Sequence, residues 1–258
     1  MNMKLSGSKK VYKIMFVQVR RADDPIADQE IEGFRSKLGK EESFEIEVRN
    51  ALYNPLPKDQ ILNYDAVIVG GSGDMSVIDS ASNKWLVDLL ELVREVIRLK
   101  VPALGICFGH QVLALALGGA VTTQKEKAEM GTIEFSLTDA GKDFKLFEGM
   151  GEKFKAHTGH TDYVVAIPED VDVLVSNGMI AAQAFKVRNA PFFSTQFHPD
   201  ITAQEARDRI NMYRDKIMAR AEEKDGIDIA DLFLPDGNNA SLIVQNFGSM
   251  VKGHYSRA

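Results

Sequence analysis

Cysteine is almost absent from this sequence, which carries a single one among 258 residues. One cysteine excludes a disulfide within the chain and a zinc site built from several cysteines, and it fits a reducing compartment. No stretch approaches the roughly 18 consecutive apolar residues that a membrane span needs. With a net charge of −6 and a pI near 5.5, neither nucleic acid nor an anionic membrane is an expected partner. No leader-like apolar segment follows the basic start, so we predict a cytoplasmic protein.

The sequence does contain enough apolar residues for a full core, at 45% of the chain. Val11–Val19 and Asp65–Val69 are mostly apolar runs that indicate strands buried on both faces. Apolar residues recur at helical spacing over Trp85–Leu99, which predicts a helix that leads into a third strand near Val101. Strands that alternate with helices in this way predict βαβ units and a parallel sheet.

The second half of the chain has a different pattern, in which turn residues separate short β-rich runs. These runs are Gly131–Leu137, Phe154–His157, Tyr163–Ile167, Val171–Val175, Ala181–Val187 and Phe192–Phe197. They predict a more antiparallel extension of the same sheet. A polar helix over Thr202–Glu223 and an apolar helix over Ala240–Val251 make a C-terminal helical extension of about 201–258. We therefore predict a flexible tail over residues 1–9 and a single domain over residues 10–258.

The single cysteine, Cys107, lies where a short apolar strand turns into a helix, within Gly105-Ile-Cys-Phe-Gly109. Glycine on both sides of such a turn is typical of a nucleophile elbow, which lifts its central residue clear of the sheet. A free cysteine at the end of a core strand is equally typical of a small buried residue. The elbow alone leaves both interpretations open, because a cysteine nucleophile also needs a base and a group that orients the base.

Among the five histidines, His198 is the best candidate for that base. It closes an apolar strand within Gln196-Phe-His-Pro-Asp200. His198 and the carboxylate of Asp200 are two residues apart, so an extended chain would place both on one face. Taken alone, the segment is more typical of a turn with a solvated acid.

The remaining polar candidates favour structural roles. His157 and His160 lie close to Asp162 in sequence, which could indicate a metal site, but hydrogen-bonded turn residues or pocket lining are favoured and we expect no metal. His110 lies in the predicted elbow helix and is expected to be structural. Lys125–Glu129 is predicted to be a solvated loop that could border the pocket.

An oxyanion needs fixed donors, and two backbone N–H groups are sufficient. Phe108 follows the cysteine at the start of a helix, so its N–H is the first candidate. The second lies in the turn Gly70-Gly71 at the end of a neighbouring strand, where glycine lets the backbone approach a ligand closely. Taken alone, such a turn can equally be a strand end without function.

These segments resemble signatures of class I glutamine amidotransferases, in particular the amidotransferase domain of the GMP-synthase type. Val69-Gly-Gly-Ser-Gly-Asp74 resembles the oxyanion loop, Gly105-Ile-Cys-Phe-Gly-His-Gln111 the G-x-C-x-G-x-Q elbow, and Gln196-Phe-His-Pro-Asp200 the Q-F-H-P-E motif. His160-Thr-Asp-Tyr-Val164 is similar to the H-G-D-x-V segment. The resemblance spans roughly Val11 to Asp200. It implies an open, mostly parallel, flavodoxin-like α/β sheet with helices on both faces and a site beyond the strand ends.

The resemblance also implies a reaction. Cys107 would attack the side-chain amide of glutamine, His198 would pass a proton to the leaving ammonia, and Asp200 would orient His198. The glutamyl thioester would then be hydrolysed, and no cofactor is expected. The amides of Gly71 and Phe108 would stabilise the oxyanion. Four residues would hold the substrate: Gln111, Gly70, His160 and Asp162.

The sequence departs from the family pattern at several points. Asp200 stands where the family usually has Glu, and Ser72 stands where proline is common. Residues 201–258 are too few for an ATP-binding synthetase module, and the chain has no G-x-x-x-x-G-K-[ST] motif. The ammonia acceptor is therefore expected to be a separate synthetase partner. A γ-glutamyl hydrolase or peptidase with the same residues is the alternative, and a non-catalytic regulatory protein is a third hypothesis that the complete Cys–His–Asp set disfavours.

Overall fold

The structure is a computed structural model that describes residues 10–39, 43–215, 228–235 and 239–255. Its strands are β1 (Tyr12–Gln18), β2 (Phe44–Asn50), β3 (Ala66–Val69), β4 (Ala103–Ile106), β5 (Ala120–Thr123), β6 (Glu129–Leu137), β7 (Lys153–His160), β8 (Asp162–Ala166), β9 (Val171–Ser176), β10 (Ala184–Val187) and β11 (Phe192–Thr195). Its α-helices are α1 (Ile26–Lys37), α2 (Lys84–Leu99), α3 (Phe108–Ala116), α4 (Asp139–Lys142), α5 (Ala203–Met212) and α6 (Leu242–Tyr255). Short 3₁₀ segments are Lys58–Asn63, Lys125–Lys127, Lys145–Phe147 and Ile229–Leu232.

Nine of these strands form one mixed sheet in the order β2-β1-β3-β4-β11-β10-β9-β6-β7. The neighbours from β2 to β11 pair in parallel. The neighbours from β11 to β7 pair antiparallel. The predicted α/β fold, an open flavodoxin-like sheet with an antiparallel extension, is therefore confirmed. The parallel part brings the C-terminal ends of β3, β4 and β11 side by side, and these ends carry the predicted site residues.

Strand β1 shows why both faces of the parallel part are covered. Its Met15 and Val17 pack in the apolar cluster that contains residues of α2 and α3. Its Ile14 and Phe16 pack in the cluster that contains residues of α1 and α6. Because successive side chains of a strand point to opposite faces, a strand buried on both sides needs a continuous apolar run, as this one has.

Strand β5 was not predicted, and it changes the place of β8. These two strands pair antiparallel in a separate two-stranded sheet, so the run predicted at Tyr163–Ile167 does not extend the main sheet. The four residues of β5 are largely half-buried and lack the alternation of apolar and polar residues that identifies a strand. A partner distant in sequence, rather than a local pattern, makes this segment a strand.

The boundaries of several other elements differ from the predicted ones. The elbow helix begins at Phe108, directly after the cysteine, and ends at Ala116. The polar helix begins as predicted after Thr202, which caps it together with Glu205 in a capping box. This helix ends at Met212, and part of the predicted Thr202–Glu223 range lies outside the described residues.

The C-terminal helix α6 packs on the main sheet. Its Ile243, Val244, Phe247 and Val251 are fully buried in the same cluster as Phe34 of α1. The predicted tail at residues 1–9 lies outside the part of the chain that the structure describes. Within that part, no helix is both long enough and apolar enough to span a membrane.

Candidate active site

Cys107 occupies a sharp turn between β4 and α3. Its backbone has φ 51° and ψ −97°, a strained conformation that non-glycine residues rarely adopt. A Cβ at Gly105 would lie 2.7 Å from the carbonyl oxygen of Gly109, and a Cβ at Gly109 would lie 2.3 Å from that of Val69. Only glycine fits at both positions, so the glycines of the predicted elbow allow the chain to turn this tightly. The Cys107 N–H donates to the Thr195 carbonyl at 2.8 Å, which holds the turn against β11.

His198 lies just past the end of β11, the strand that neighbours β4. Its backbone N–H donates to the His157 carbonyl at 2.8 Å. Its Nδ1 lies 3.0 Å from Oδ1 of Asp200. Since an ionised carboxylate can only accept, Nδ1 carries the proton. Arg209 of α5 donates through Nη1 to the other oxygen of Asp200 at 3.3 Å. Asp200 is therefore held by hydrogen bonds from His198 and Arg209. Its hydrogen bond to Nδ1 fixes the orientation of the imidazole.

The charges of this group favour a protonated histidine. Burial lowers the pKa of His198, but the charge of Asp200, the hydrogen bond to Asp200 and the hydrogen bond and charge of Cys107 outweigh burial and raise the pKa to about 9. Burial raises the pKa of the Asp200 carboxyl, but the charges of His198 and Arg209 outweigh it and hold that pKa well below its usual range. At neutral pH the pair is thus an imidazolium beside a carboxylate.

Of the two predicted oxyanion donors, Phe108 has an N–H that donates to none of the residues that the structure describes. It is the first residue of α3, so its N–H has no acceptor within the helix, and none lies among the other described residues. Its ring packs against Trp85 with the ring centroids 6.0 Å apart, which fixes the start of the helix. The Phe108 N–H thus projects from the residue that follows Cys107 and lines the same cavity.

The N–H of the second predicted donor, Gly71, already has a hydrogen-bond acceptor in this structure. Its N–H donates to Oε1 of Glu30 at 3.0 Å. Glu30 pairs with Arg20 through Nε at 2.8 Å, and both side chains are at most 2% exposed. A Cβ at Gly71 would lie 3.3 Å from Cε1 of His198, so Gly71 is next to the imidazole. The loop is in the predicted place, but its N–H can serve an oxyanion only after leaving Glu30.

Three of the four predicted substrate-binding residues line one cavity of about 290 Å³ with Cys107 and His198: Gln111, His160 and Asp162. Gln111 donates through Nε2 to the carbonyl of Asp162 at 2.8 Å. The carboxylate of Asp162 accepts from Ser76 and Thr123, both at 2.5 Å, so its side chain shapes the wall. Gly70 is not among the cavity-lining residues, and its carbonyl accepts the Gly109 N–H at 3.2 Å.

A buried polar network behind His160 was not anticipated. Glu129, placed by the sequence in a solvated loop, is 2% exposed. Its carboxylate accepts from His160 at 3.0 Å and from Asn177 and Gln183, each at 2.6 Å. Burial raises the pKa of Glu129, but these partners outweigh it and lower the pKa. The carboxylate therefore holds His160 in the cavity wall, and among the described residues no group of acidic, histidine or cysteine side chains could hold a metal.

Sequence patterns gave little indication of the other residues that support the site. Three charged side chains reach the site only because the fold brings separate segments together. Glu30 accepts from Gly71 and pairs with Arg20, and Arg209 donates to Asp200. Gln196 donates through Nε2 to Cys107 Sγ at 3.7 Å. This residue could have been identified from the sequence, because it is the first residue of the segment that carries His198. His110 is buried, bonded to Ser194 at 2.9 Å and to the Ala182 carbonyl at 3.1 Å, so it lies in the core rather than in the cavity.

This arrangement coincides with a match to a family model. Residues 36–216 match the model for class-I glutamine amidotransferases, and the chain belongs to that family. Among curated relatives, one subunit of a glutamine-hydrolysing GMP synthase from Methanothermobacter thermautotrophicus is 31% identical over 150 residues, which cover 57% of this chain and 73% of the relative. A glutamine-hydrolysing GMP synthase from Bacteroides fragilis is 38% identical over 153 residues, which cover 58% of this chain and 27% of the relative.

Solved structures give the same result for the fold. A glutamine amidotransferase from Thermotoga maritima superposes with a TM-score of 0.72 at 19% identity, over 93% of this chain and 97% of that one. A glutamine amidotransferase from Methylobacillus flagellatus superposes with a TM-score of 0.68 at 20% identity, over 96% and 95% of the two chains. At these identities the likeness establishes the fold alone.

Proposed function

We propose that this protein hydrolyses the side-chain amide of glutamine through a thioester on Cys107 and releases ammonia for a separate acceptor enzyme. The observation that carries the proposal is the group at the ends of β4 and β11: a cysteine on a strained elbow, and a histidine that lines the same cavity and whose Nδ1 lies 3.0 Å from a buried aspartate. A thiol, a base and an orienting carboxylate in this order are the requirements for nucleophilic attack on an amide.

The roles of the residues follow from their positions. The sulfur of Cys107 attacks the γ-carbonyl carbon, and the Phe108 N–H donates to the oxygen that becomes negative. His198, charged through Asp200, gives its proton to the nitrogen, so the C–N bond breaks and ammonia leaves. His198 then takes a proton from the water that attacks the thioester, and glutamate is released. Gly71 supplies the second oxyanion donor when its N–H exchanges Glu30 for the substrate oxygen.

The polar residues of the cavity would bind the amino acid part of glutamine. Gln111 uses its amide N–H groups on Asp162 and Gln196, so its carbonyl oxygen is left to accept from a substrate ammonium. The segment His160–Asp162 lines the same wall. A binding role for Gly70 would be indirect, through the position of Gly71.

The use of the ammonia is also part of the proposal. Curated relatives named as one subunit of a GMP synthase support a separate synthetase as the acceptor. We infer that residues 10–258 act as one domain, because α6 and β1 share one apolar cluster. The charge of −6 gives no reason to expect nucleic acid or membrane as a partner.

The test is an ammonia-release assay with glutamine, comparing the wild type with Cys107→Ser. The serine keeps the shape of the side chain but is a far weaker nucleophile at neutral pH. We expect release to fall by at least about 10³-fold. The matched control is Ser80→Ala, which removes a hydroxyl at a position outside the cavity and should leave release unchanged. Equal release by wild type and Cys107→Ser would contradict the proposal.

A further inference from the structure

The cavity at Cys107 is lined by two unlike sets of side chains. One set is polar and includes Gln111, His160 and Asp162. The other set is apolar and buried, and we call it the apolar subsite: Met130, Ile201, Ala206, Ile210 and Phe233. These side chains form a cluster separate from the two apolar cores of the main sheet. Glutamine and ammonia are polar throughout their reacting parts, so neither matches this second set of side chains.

The apolar subsite is preformed. Arg207 of α5 donates through Nε to the Ala230 carbonyl at 3.2 Å and through Nη2 to the Phe233 carbonyl at 2.6 Å. The ring of Phe233 also packs on that of His157, with centroids 5.8 Å apart. These contacts fasten the segment that carries Phe233 both to α5 and to β7. An apolar surface that is held by such contacts and lines an accessible cavity is typical of a site for an apolar ligand group.

The apolar subsite lies on the histidine side of the reacting atoms. Ile201 follows His198 by three residues in the chain. His157 pairs with His198 through their backbones, and Gly159 lies two residues further along β7. A Cβ at Gly159 would be only 3.5 Å from Cδ1 of Ile210. Ile210 therefore lies beside the strand whose backbone borders His198.

We propose that the apolar subsite binds the substituent on the scissile amide nitrogen, so that γ-glutamyl amides of apolar amines are substrates beside glutamine. The leaving nitrogen must lie within reach of His198, because it receives the histidine proton. A group attached to that nitrogen then extends past His198, where the apolar side chains are. Since the acylation step is the same, this proposal rests on the proposed function.

The reaction balances without a further reactant. Cys107 sulfur forms a bond to the γ-carbonyl carbon while the bond from that carbon to nitrogen breaks. The nitrogen takes the proton of His198 and leaves as a neutral amine, R–NH₂. Water then adds to the thioester, His198 accepts a proton from that water, and the sulfur leaves as the thiolate. The products are glutamate and the amine, as ammonia is the product from glutamine.

The test uses γ-glutamyl methylamide, ethylamide, propylamide and butylamide, whose amide bonds have nearly the same reactivity. We expect kcat/KM to rise by about fourfold for each added methylene, because each one leaves water for apolar surroundings. A flat or falling series would overturn the proposal. Glutamine is assayed beside the series as the reference for the chemical steps.

Two variants test whether the rise in kcat/KM per methylene depends on the apolar subsite. Ile210→Ala and Phe233→Ala remove apolar surface from the subsite, and each should reduce the rise per methylene to about twofold or less. Met212→Ala is the matched control, since Met212 lies on the same helix, is 51% exposed and does not line the cavity. The slope compares substrates within one preparation, so it does not depend on how much of a variant is folded. An unchanged slope in both subsite variants would overturn the assignment.

The outcomes also separate this proposal from the proposed function. If glutamine is hydrolysed through Cys107 and the alkyl series is flat, only the apolar subsite is refuted. If neither glutamine nor any γ-glutamyl amide acylates Cys107, the proposed function fails and the subsite proposal fails with it. A rising series together with glutamine hydrolysis supports both.

Discussion

The site has a floor and a cover, and the two are built in different ways. The floor consists of Gly70-Gly71, Cys107 and His198, which follow three adjacent parallel strands. Its backbone is fixed by short main-chain hydrogen bonds to neighbouring strands, such as the one from Cys107 to Thr195. The cover consists of α5 and residues 229–233, which lie outside the main sheet.

Under the proposed function, this difference would separate chemistry from selectivity. In the floor, a strained turn and a buried charge pair position the atoms that would react, so small changes should have large effects on turnover. In the cover, apolar side chains are held by Arg207 and by packing, so changes there should alter which amides fit. Substitutions in the floor should therefore reduce turnover or stability, whereas the series of alkyl amides reports on the cover.

Asp200→Asn should have the largest effect. The amide can no longer stabilise a charged His198, and its N–H₂ can hold the imidazole in the wrong tautomer. We expect kcat for glutamine to fall by about 10³–10⁴-fold, as for the aspartate of a serine protease triad. Asp208→Asn is the matched control on the exposed side of α5. If Asp200→Asn retained most of the activity, Asp200 would be a structural acid and the floor would lack its orienting group.

Glu30→Ala should have the next largest effect, which is a decrease in the free energy of unfolding. It leaves the guanidinium of Arg20 buried without its main partner and frees the Gly71 N–H. Removing one partner of a buried ion pair costs about 3–5 kcal/mol where the remaining charge is left uncompensated. Arg20 keeps a second carboxylate, Asp24, at 3.3 Å, so we expect a loss at the lower end of that range. Urea unfolding measures this loss.

The control for that experiment is Glu32→Ala on the same helix, where the side chain is 59% exposed. An exposed pair contributes at most about 1 kcal/mol, so the two variants should differ clearly. Equal unfolding free energies for the two variants would show that the floor does not depend on the buried pair.

The pH dependence is the smallest effect and reports on the same charges. The His198 proton is lost as pH rises through about 9, so kcat/KM should fall about tenfold per pH unit above that value. The raised pKa also stabilises the folded state. That contribution is complete below the ordinary value of 6.5 and disappears as pH rises through about 9.

Asp200→Asn serves as the control here as well. Removing the carboxylate takes away the main cause that raises the pKa of His198, so the alkaline fall of the residual activity should move to lower pH. An alkaline limb at the same pH in wild type and variant would mean that a group other than His198 limits the rate.

The floor could be predicted from the sequence because its residues follow local rules. Gly105 and Gly109 mark a turn that other residues cannot make, and His198 and Asp200 are placed by one strand end. The parallel order of β3, β4 and β11 then brings these segments together. The family resemblance added the roles but not the positions.

The sequence predicted α5 itself, but it did not predict the contacts of the cover or the supporting charges, because these join segments that are separate in the sequence. Nothing near Glu30 shows that its carboxylate will reach Gly71, and Glu129 follows a polar run that is typical of a solvated loop. Strand β5 is defined only by its pairing with β8. The occupation of the Gly71 N–H is likewise a property of the folded chain.

The most direct test of the central claim is the mass of the enzyme during turnover. The wild type is mixed with glutamine, quenched in acid within one turnover and digested with a protease. The mass of the peptide that contains Cys107 is then measured by mass spectrometry. We predict that this peptide gains one γ-glutamyl group, which hydroxylamine removes, because thioesters are cleaved by that nucleophile. Turnover of glutamine with no acyl group on this peptide, or with the group on another residue, would contradict the account.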